Sequence, residues 1–120
     1  MVVTLEEQDM EMIQLLVNMG FVKNVAKTLV YIVKANETVS AEIEAETNLR
    51  QPEVSIAIRE LKKRGWIVKK DLKRESKGRP AHCYKLAVPF SKIIETIEND
   101  ALEKIKKIQT DLTRLKSLVK

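Results

Sequence analysis

Apolar residues recur along this chain in two rhythms, helical before Gly65 and after Pro89, strand-like in between. Met12, Ile13, Leu16 and Val17 follow the acidic Glu6, Glu7 and Asp9, which predicts a short first helix with Thr4 as its N-cap, running up to Gly20. A second helix is expected from about Asn24 to Ala35, burying Val25, Leu29, Ile32 and Val33, with Asn36 near its end. Glu37 to Val39 reads as a short extended link. Ser40 is placed to cap a third helix of one to two turns through Glu46, and Asn48 stands where a left-handed residue would stop it.

Gln51-Pro52-Glu53 opens a fourth helix, with proline expected at its first position and Glu53 beside the positive end of the dipole. Val54, Ala57, Ile58 and Leu61 form its buried stripe, so Ser55, Ile56, Arg59, Lys62 and Lys63 face outward, and Gly65 supplies the stop. Alternation then predicts two antiparallel strands, Trp66 to Leu72 and His82 to Val88, joined by the loop from Glu75 to Pro80. Trp66 is expected to anchor this small sheet.

After Pro89 a helical pattern runs on without a break. Ile94, Ile97, Ala101, Ile105, Ile108, Leu112, Leu115 and Val119 follow in steps of 3, 4, 4, 3, 4, 3 and 4, a helical seam with one stutter. A helix of roughly 30 residues is a rod of about 45 Å, longer than the body that the preceding residues can build. Its first turns, Phe90 to Ile97, are expected to fold back on the first two helices. The distal turns allow two readings, folding back throughout or pairing with a second copy, and the length of the apolar stripe favours a homodimer. Met10, Met12 and Met19 read as core or dimer filler.

Charge adds what periodicity leaves out. Residues 59–85 hold eleven Lys/Arg against three Asp/Glu, a local +8 in a chain whose total is +5, whereas residues 1–58 balance at −5. A concentrated basic surface is what a polyphosphate binder presents. Composition excludes other classes. With 32% charged and 44% hydrophobic residues, and its longest apolar run only Leu29 to Val33, the chain lacks a candidate for a span of roughly 18 residues. No signal peptide is recognisable, a cytoplasmic location is expected, and no effector module is expected after residue 120. One cysteine and one histidine form no metal constellation of recognised spacing. Cys83 and His82 are neighbours on a strand and point to opposite faces, which favours structural roles. There is no phosphate-binding glycine loop, and the carboxylates are interleaved with lysines, so neither an enzyme nor a cofactor is expected.

The order helix, helix, helix, turn, helix, hairpin is that of a winged helix-turn-helix. The signal lies in residues 40–67, whose core positions Ile43, Leu49, Val54, Ile58 and Leu61 have the spacing that packs a short helix across a longer one. The Arg-Gly-Trp-Ile ending and the Lys-Gly-Arg-Pro loop complete it. Over roughly residues 20 to 88 the chain resembles the DNA-binding domain of small archaeal and bacterial transcriptional regulators of the TrmB, MarR and ArsR type. It is most similar to the TrmB-like archaeal proteins. It departs from their pattern at Glu44, where a small residue is usual, and at Asn48, where glycine is usual.

The resemblance implies a mainly α fold with a small β-hairpin (α+β) and a winged helix-turn-helix DNA-binding domain over residues 1–88, and the apolar seam beyond it implies a C-terminal dimerisation helix over 89–120. It implies that Gln51, Ser55, Ile56 and Arg59 face base edges in the major groove of double-stranded DNA. Ser40, Lys62 and Lys63 are implied phosphate contacts, and Lys73, Arg74, Lys77 and Arg79 a wing on the minor groove or backbone. The dimerisation seam would comprise Ile97, Ala101, Ile105, Ile108, Leu112, Leu115 and Val119. Expected partners are therefore duplex DNA and a second copy, with no membrane and an effector of unknown kind. A winged helix that docks on protein, as an adaptor or architectural subunit, is the alternative.

Overall fold

The computed structural model describes residues 3–72 and 81–119, with only the backbone for 71, 72 and 81. It contains helices α1 (Glu7–Asn18), α2 (Lys23–Ala35), α3 (Ser40–Thr47), α4 (Gln51–Lys63) and α5 (Phe90–Leu118), and strands β1 (Glu37–Val39), β2 (Ile67–Leu72) and β3 (Ala81–Leu86). Two compact units result, Met1–Val88 and Pro89–Lys120.

In the first unit α2 is the hub. Val25, Ala26, Thr28, Leu29, Val30, Tyr31 and Ile32 are all buried, because α1, α3, α4 and the sheet touch it on several sides. Val33, expected in the core, is only partly buried. The predicted stripe of α4, Val54, Ala57, Ile58 and Leu61, is buried as its spacing requires. Ile43 of α3 is fully buried although Glu44 follows it, and Leu49 in the α3–α4 turn is buried as well.

Helix ends carry most of the local corrections. Asp9, not Thr4, secures the start of α1: the N-cap is Glu6, whose amide donates to Asp9 Oδ2 at 2.7 Å. Ser40 is the first residue of α3 rather than its cap, and Val39 occupies the N-cap. Pro52 stands one residue inside α4, which begins at Gln51. The predicted stops hold. Asn48 is left-handed (φ 59°, ψ 31°), and Gly65 has φ 78°, so the Gly65 amide reaches Lys62 O at 2.9 Å and the Trp66 amide reaches Leu61 O at 3.1 Å. An equivalent pair closes α1, where the Gly20 and Phe21 amides donate to Val17 O and Leu16 O.

The sheet has three antiparallel strands in the order β1-β3-β2, where the sequence suggests two. Glu37, Thr38 and Val39 pair with Lys85, Tyr84 and Cys83, so the expected link is an edge strand. Ile67 pairs with Leu86 and Lys70 with Cys83 on the other side of β3. Cys83 is buried and His82 exposed, as strand alternation requires.

Asp9 also ties α1 to α2. Lys34 Nζ lies 2.6 Å from Asp9 Oδ2 and 3.3 Å from Glu6 Oε1. This ammonium first, and the Glu6 amide second, hold the Asp9 carboxyl below its ordinary range, and the same contact raises Lys34. A carboxylate with a lowered folded pKa stabilises the fold above its unfolded value, and that contribution is lost as pH falls through the folded value. Asp9→Asn is therefore expected to cost about 1 kcal/mol at neutral pH, with the difference from the parent closing below about pH 4. Urea titrations at several pH values measure it; a pH-independent difference would contradict this account.

In the second unit α5 has 29 residues, a length of about 44 Å. Ile93 and Ile97 are buried, and Ile97 is only 6% exposed, so it leaves the seam in which the sequence placed it. Ile94, Leu102, Ile105, Ile108, Leu112, Leu115, Leu118 and Val119 are exposed.

Candidate nucleic-acid interface

The helix-turn-helix consists of α3, the turn at Asn48 and Leu49, and α4. Burial of Val54, Ala57, Ile58 and Leu61 fixes which way α4 faces, so Gln51, Ser55, Ile56, Arg59, Lys62 and Lys63 share its solvent side. Gln51 Nε2 donates to Ser55 Oγ at 3.3 Å, one turn apart. Ile56 is 63% exposed in the middle of this polar face, a position that has no role in the core. Ser40 is half-buried in the first turn of α3. The expected wing residues Lys73, Arg74, Lys77 and Arg79, with the loop around them, lie outside the described residues.

Two contacts hold the start of α4 in place. Glu53 accepts the Arg50 amide at 2.8 Å, closing the helix N-terminus, and its other oxygen accepts Asn24 Nδ2 of α2 at 3.4 Å. The one acid in the first turn of α4 is thus engaged inside the fold. Arg50, by contrast, is 88% exposed and meets Glu53 only at 3.8 Å. It stands at the end of α4 from which groove-reading helices approach base edges. Charge clustering does not reveal it, because it lies outside residues 59–85. The signal that could have found it is its place immediately before Gln51-Pro52, the start of the helix.

The basic tract is not uniformly available. Arg64 bonds Glu60 through Nε at 2.8 Å, and its guanidinium lies 4.9 Å from the Phe21 ring centroid and 5.1 Å from that of Trp66. Phe21 and Trp66 are themselves 5.9 Å apart. Both follow a helix-ending glycine, so this cluster fastens the α1–α2 turn to the α4–β2 turn. Lys70 is 3.6 Å from Glu37. Arg59, Lys62 and Lys63 therefore form the charged part of the α4 face, while Arg64 is a structural cation. A groove of about 310 Å³ between α1 and α2 is crossed by Lys34, already satisfied by Asp9 and Glu6. Among the described residues no group of three or more His, Cys, Asp or Glu could hold a metal ion.

No family model matches this chain, and no curated protein matches its sequence. Solved structures do match. TrmBL2, an archaeal chromatin protein whose structure shows a novel mode of DNA binding, superposes with a TM-score of 0.64 at 18% identity over 93% of this chain. The chain spans 40% of that protein's length. A possible transcriptional regulator from Methanosarcina mazei gives 0.64 at 10% identity, covering 90% of this chain and 86% of the other. A mutant MarR from E. coli, complexed with operator DNA, gives 0.53 at 16% identity, covering 95% and 87%. The fold is a winged helix-turn-helix. Within it β2 and β3 are the strands of the wing, β1 completes the sheet, and α4 is the second helix of the helix-turn-helix. No described helix is long and apolar enough to cross a membrane.

Proposed function

We propose that this chain is a transcriptional regulator that binds specific sequences of double-stranded DNA as a homodimer, with α4 in the major groove. The observation that carries this reading is the composition of the exposed face of α4 within a winged helix. Gln51 offers an amide suited to adenine, Arg59 a fork suited to guanine and Ile56 a surface for a thymine methyl. Ser55 and Arg50 lie on the same approach. Lys62 and Lys63 neutralise phosphates, as do the wing cations Lys73, Arg74, Lys77 and Arg79, and Ser40 hydrogen-bonds the backbone.

The exposed seam of α5 supports the dimer. Six large aliphatic seam residues, Ile94, Ile105, Ile108, Leu112, Leu115 and Val119, are left in solvent by a single chain. Covering each half-exposed side chain is worth about 1 kcal/mol, and a symmetric pair covers every one twice. That gross gain is comparable with the 4–15 kcal/mol or so that association costs. A two-fold dimer predicts a near-palindromic operator with half-sites about 34 Å apart.

Selection of bound sequences from random duplex DNA tests site, symmetry and spacing together. The expected result is an enriched palindrome whose binding weakens steeply with salt. Absence of duplex binding at low ionic strength would defeat the proposal. The exposed Ile56 would then favour an adaptor that docks on protein, because an apolar centre in a polar face also suits a protein partner.

A further inference from the structure

Charge along α5 is divided rather than mixed. Residues 90–103 carry Lys92 against Glu95, Glu98, Asp100 and Glu103, a balance of −3, whereas residues 104–118 carry Lys104, Lys106, Lys107, Arg114 and Lys116 against Asp111, a balance of +4. A helix dipole favours acids at the N-terminus and bases at the C-terminus, but its influence fades within the first and last turns. Glu98, Asp100, Glu103, Lys104 and Lys107 all lie in the middle turns. The helix's own field does not account for them.

The seam adds an independent constraint. With Ile97 buried, the seam positions that remain are Ile94, Ala101, Ile105, Ile108, Leu112, Leu115 and Val119, in steps of 7, 4, 3, 4, 3 and 4. This is an unbroken heptad of a and d positions, and the stutter disappears. The a position between Ile94 and Ala101 is Glu98, which is exposed. In a parallel, in-register pair each a residue packs against its own copy. Two Glu98 carboxylates would then face each other in the seam, with two acidic halves side by side and two basic halves beyond them.

We infer that α5 pairs antiparallel with α5 of a second copy, the two helices crossing between Lys106 and Lys107. This rests on the homodimer proposed above and adds its direction and register. In that register Ile94 meets Val119 of the second copy, Glu98 meets Leu115, Ala101 meets Leu112 and Ile105 meets Ile108. Every seam position finds a partner, and the small Ala101 faces a large leucine. Lys116, next to Leu115, comes beside Glu98, and the acidic half of each helix runs along the basic half of the other. The paired length, Ile94 to Val119, exceeds the three heptads or so that a stable coil needs.

Disulfide trapping in the full chain tests the direction. Ala101→Cys and Leu112→Cys chains, one of them tagged, are oxidised separately and as a mixture, with the buried Cys83 kept. The expected product is a mixed cross-linked dimer, with neither variant cross-linking alone. Self-linked Ala101→Cys dimers without mixed product would overturn the antiparallel direction while leaving a homodimer. A parent chain that sediments as a monomer at micromolar concentration would overturn both. Charge reversal gives a second reading that needs no cysteine. Glu98→Lys and Lys116→Glu should each weaken dimerisation by about tenfold, and the double reversal should return it to within about threefold of the parent. A double variant no better than either single one would count against the inference.

Discussion

Ile108→Asp is expected to leave the winged-helix unit folded and, in the homodimer proposed above, to lower operator affinity by roughly a hundredfold to ten-thousandfold, because joining two binding modules gains about that factor. The substitution sits at the middle of α5, where Ile108 is 65% exposed in the single chain. In the monomer it therefore costs only helix propensity, about 0.5 kcal/mol. In a dimer the carboxylate enters the seam from both copies, and an uncompensated buried charge costs about 3–5 kcal/mol. The effect holds for either direction of pairing. Sedimentation should show a monomer, thermal unfolding should be nearly unchanged, and binding to a single half-site should persist. Ser117→Asp serves as the control, since it adds the same charge to the same helix away from the seam. Retention of the dimer by Ile108→Asp, with unchanged operator affinity, would remove α5 as the dimerisation element.

Much of this fold is written locally, which is why single residues can be assigned such effects. The α4 stripe, the stop at Asn48 and the stop at Gly65 each follow from a few adjacent residues, and each appears where its local chemistry puts it. What the sequence hides is non-local. Glu37–Val39 is too short to show alternation, and it becomes a strand because β3 offers it an unpaired edge. Thr4 looks like a better cap than Glu6, yet Asp9 secures the helix start from within the first turn and is itself held by Lys34 from α2. Ile97 fits helical spacing as well as any seam residue, and only its burial separates it from Ile94. Arg64 counts toward the basic tract by composition but is absorbed by Glu60 and two rings brought together from distant turns. Charge totals therefore overstate what α4 and its surroundings offer to a polyanion.

Within the reading proposed for α4, Arg59→Ala and Lys63→Ala should separate specificity from affinity. Both side chains are exposed on one face of the same helix, and both changes remove one positive charge. A purely electrostatic surface would respond alike to the two. Arg59 lies one turn beyond Ser55 and two beyond Gln51, in line with the side chains assigned to base edges, and its planar fork can take guanine N7 and O6 together. Its removal should cost about 1–3 kcal/mol on the preferred sequence and much less on sequences altered at the contacted base pair. Lys63, in the last turn, is assigned in the same reading to backbone phosphate. Its removal should weaken all sequences by a similar factor and reduce the slope of log affinity against log salt by about one. Competition binding against a panel of single-base operator variants, repeated at several salt concentrations, measures both quantities at once. Equal losses on every sequence for Arg59→Ala would mean that α4 grips DNA without reading it at this position. The base readers would then have to be sought nearer the helix start, where Arg50 and Gln51 stand at the end of α4 that approaches the groove floor first.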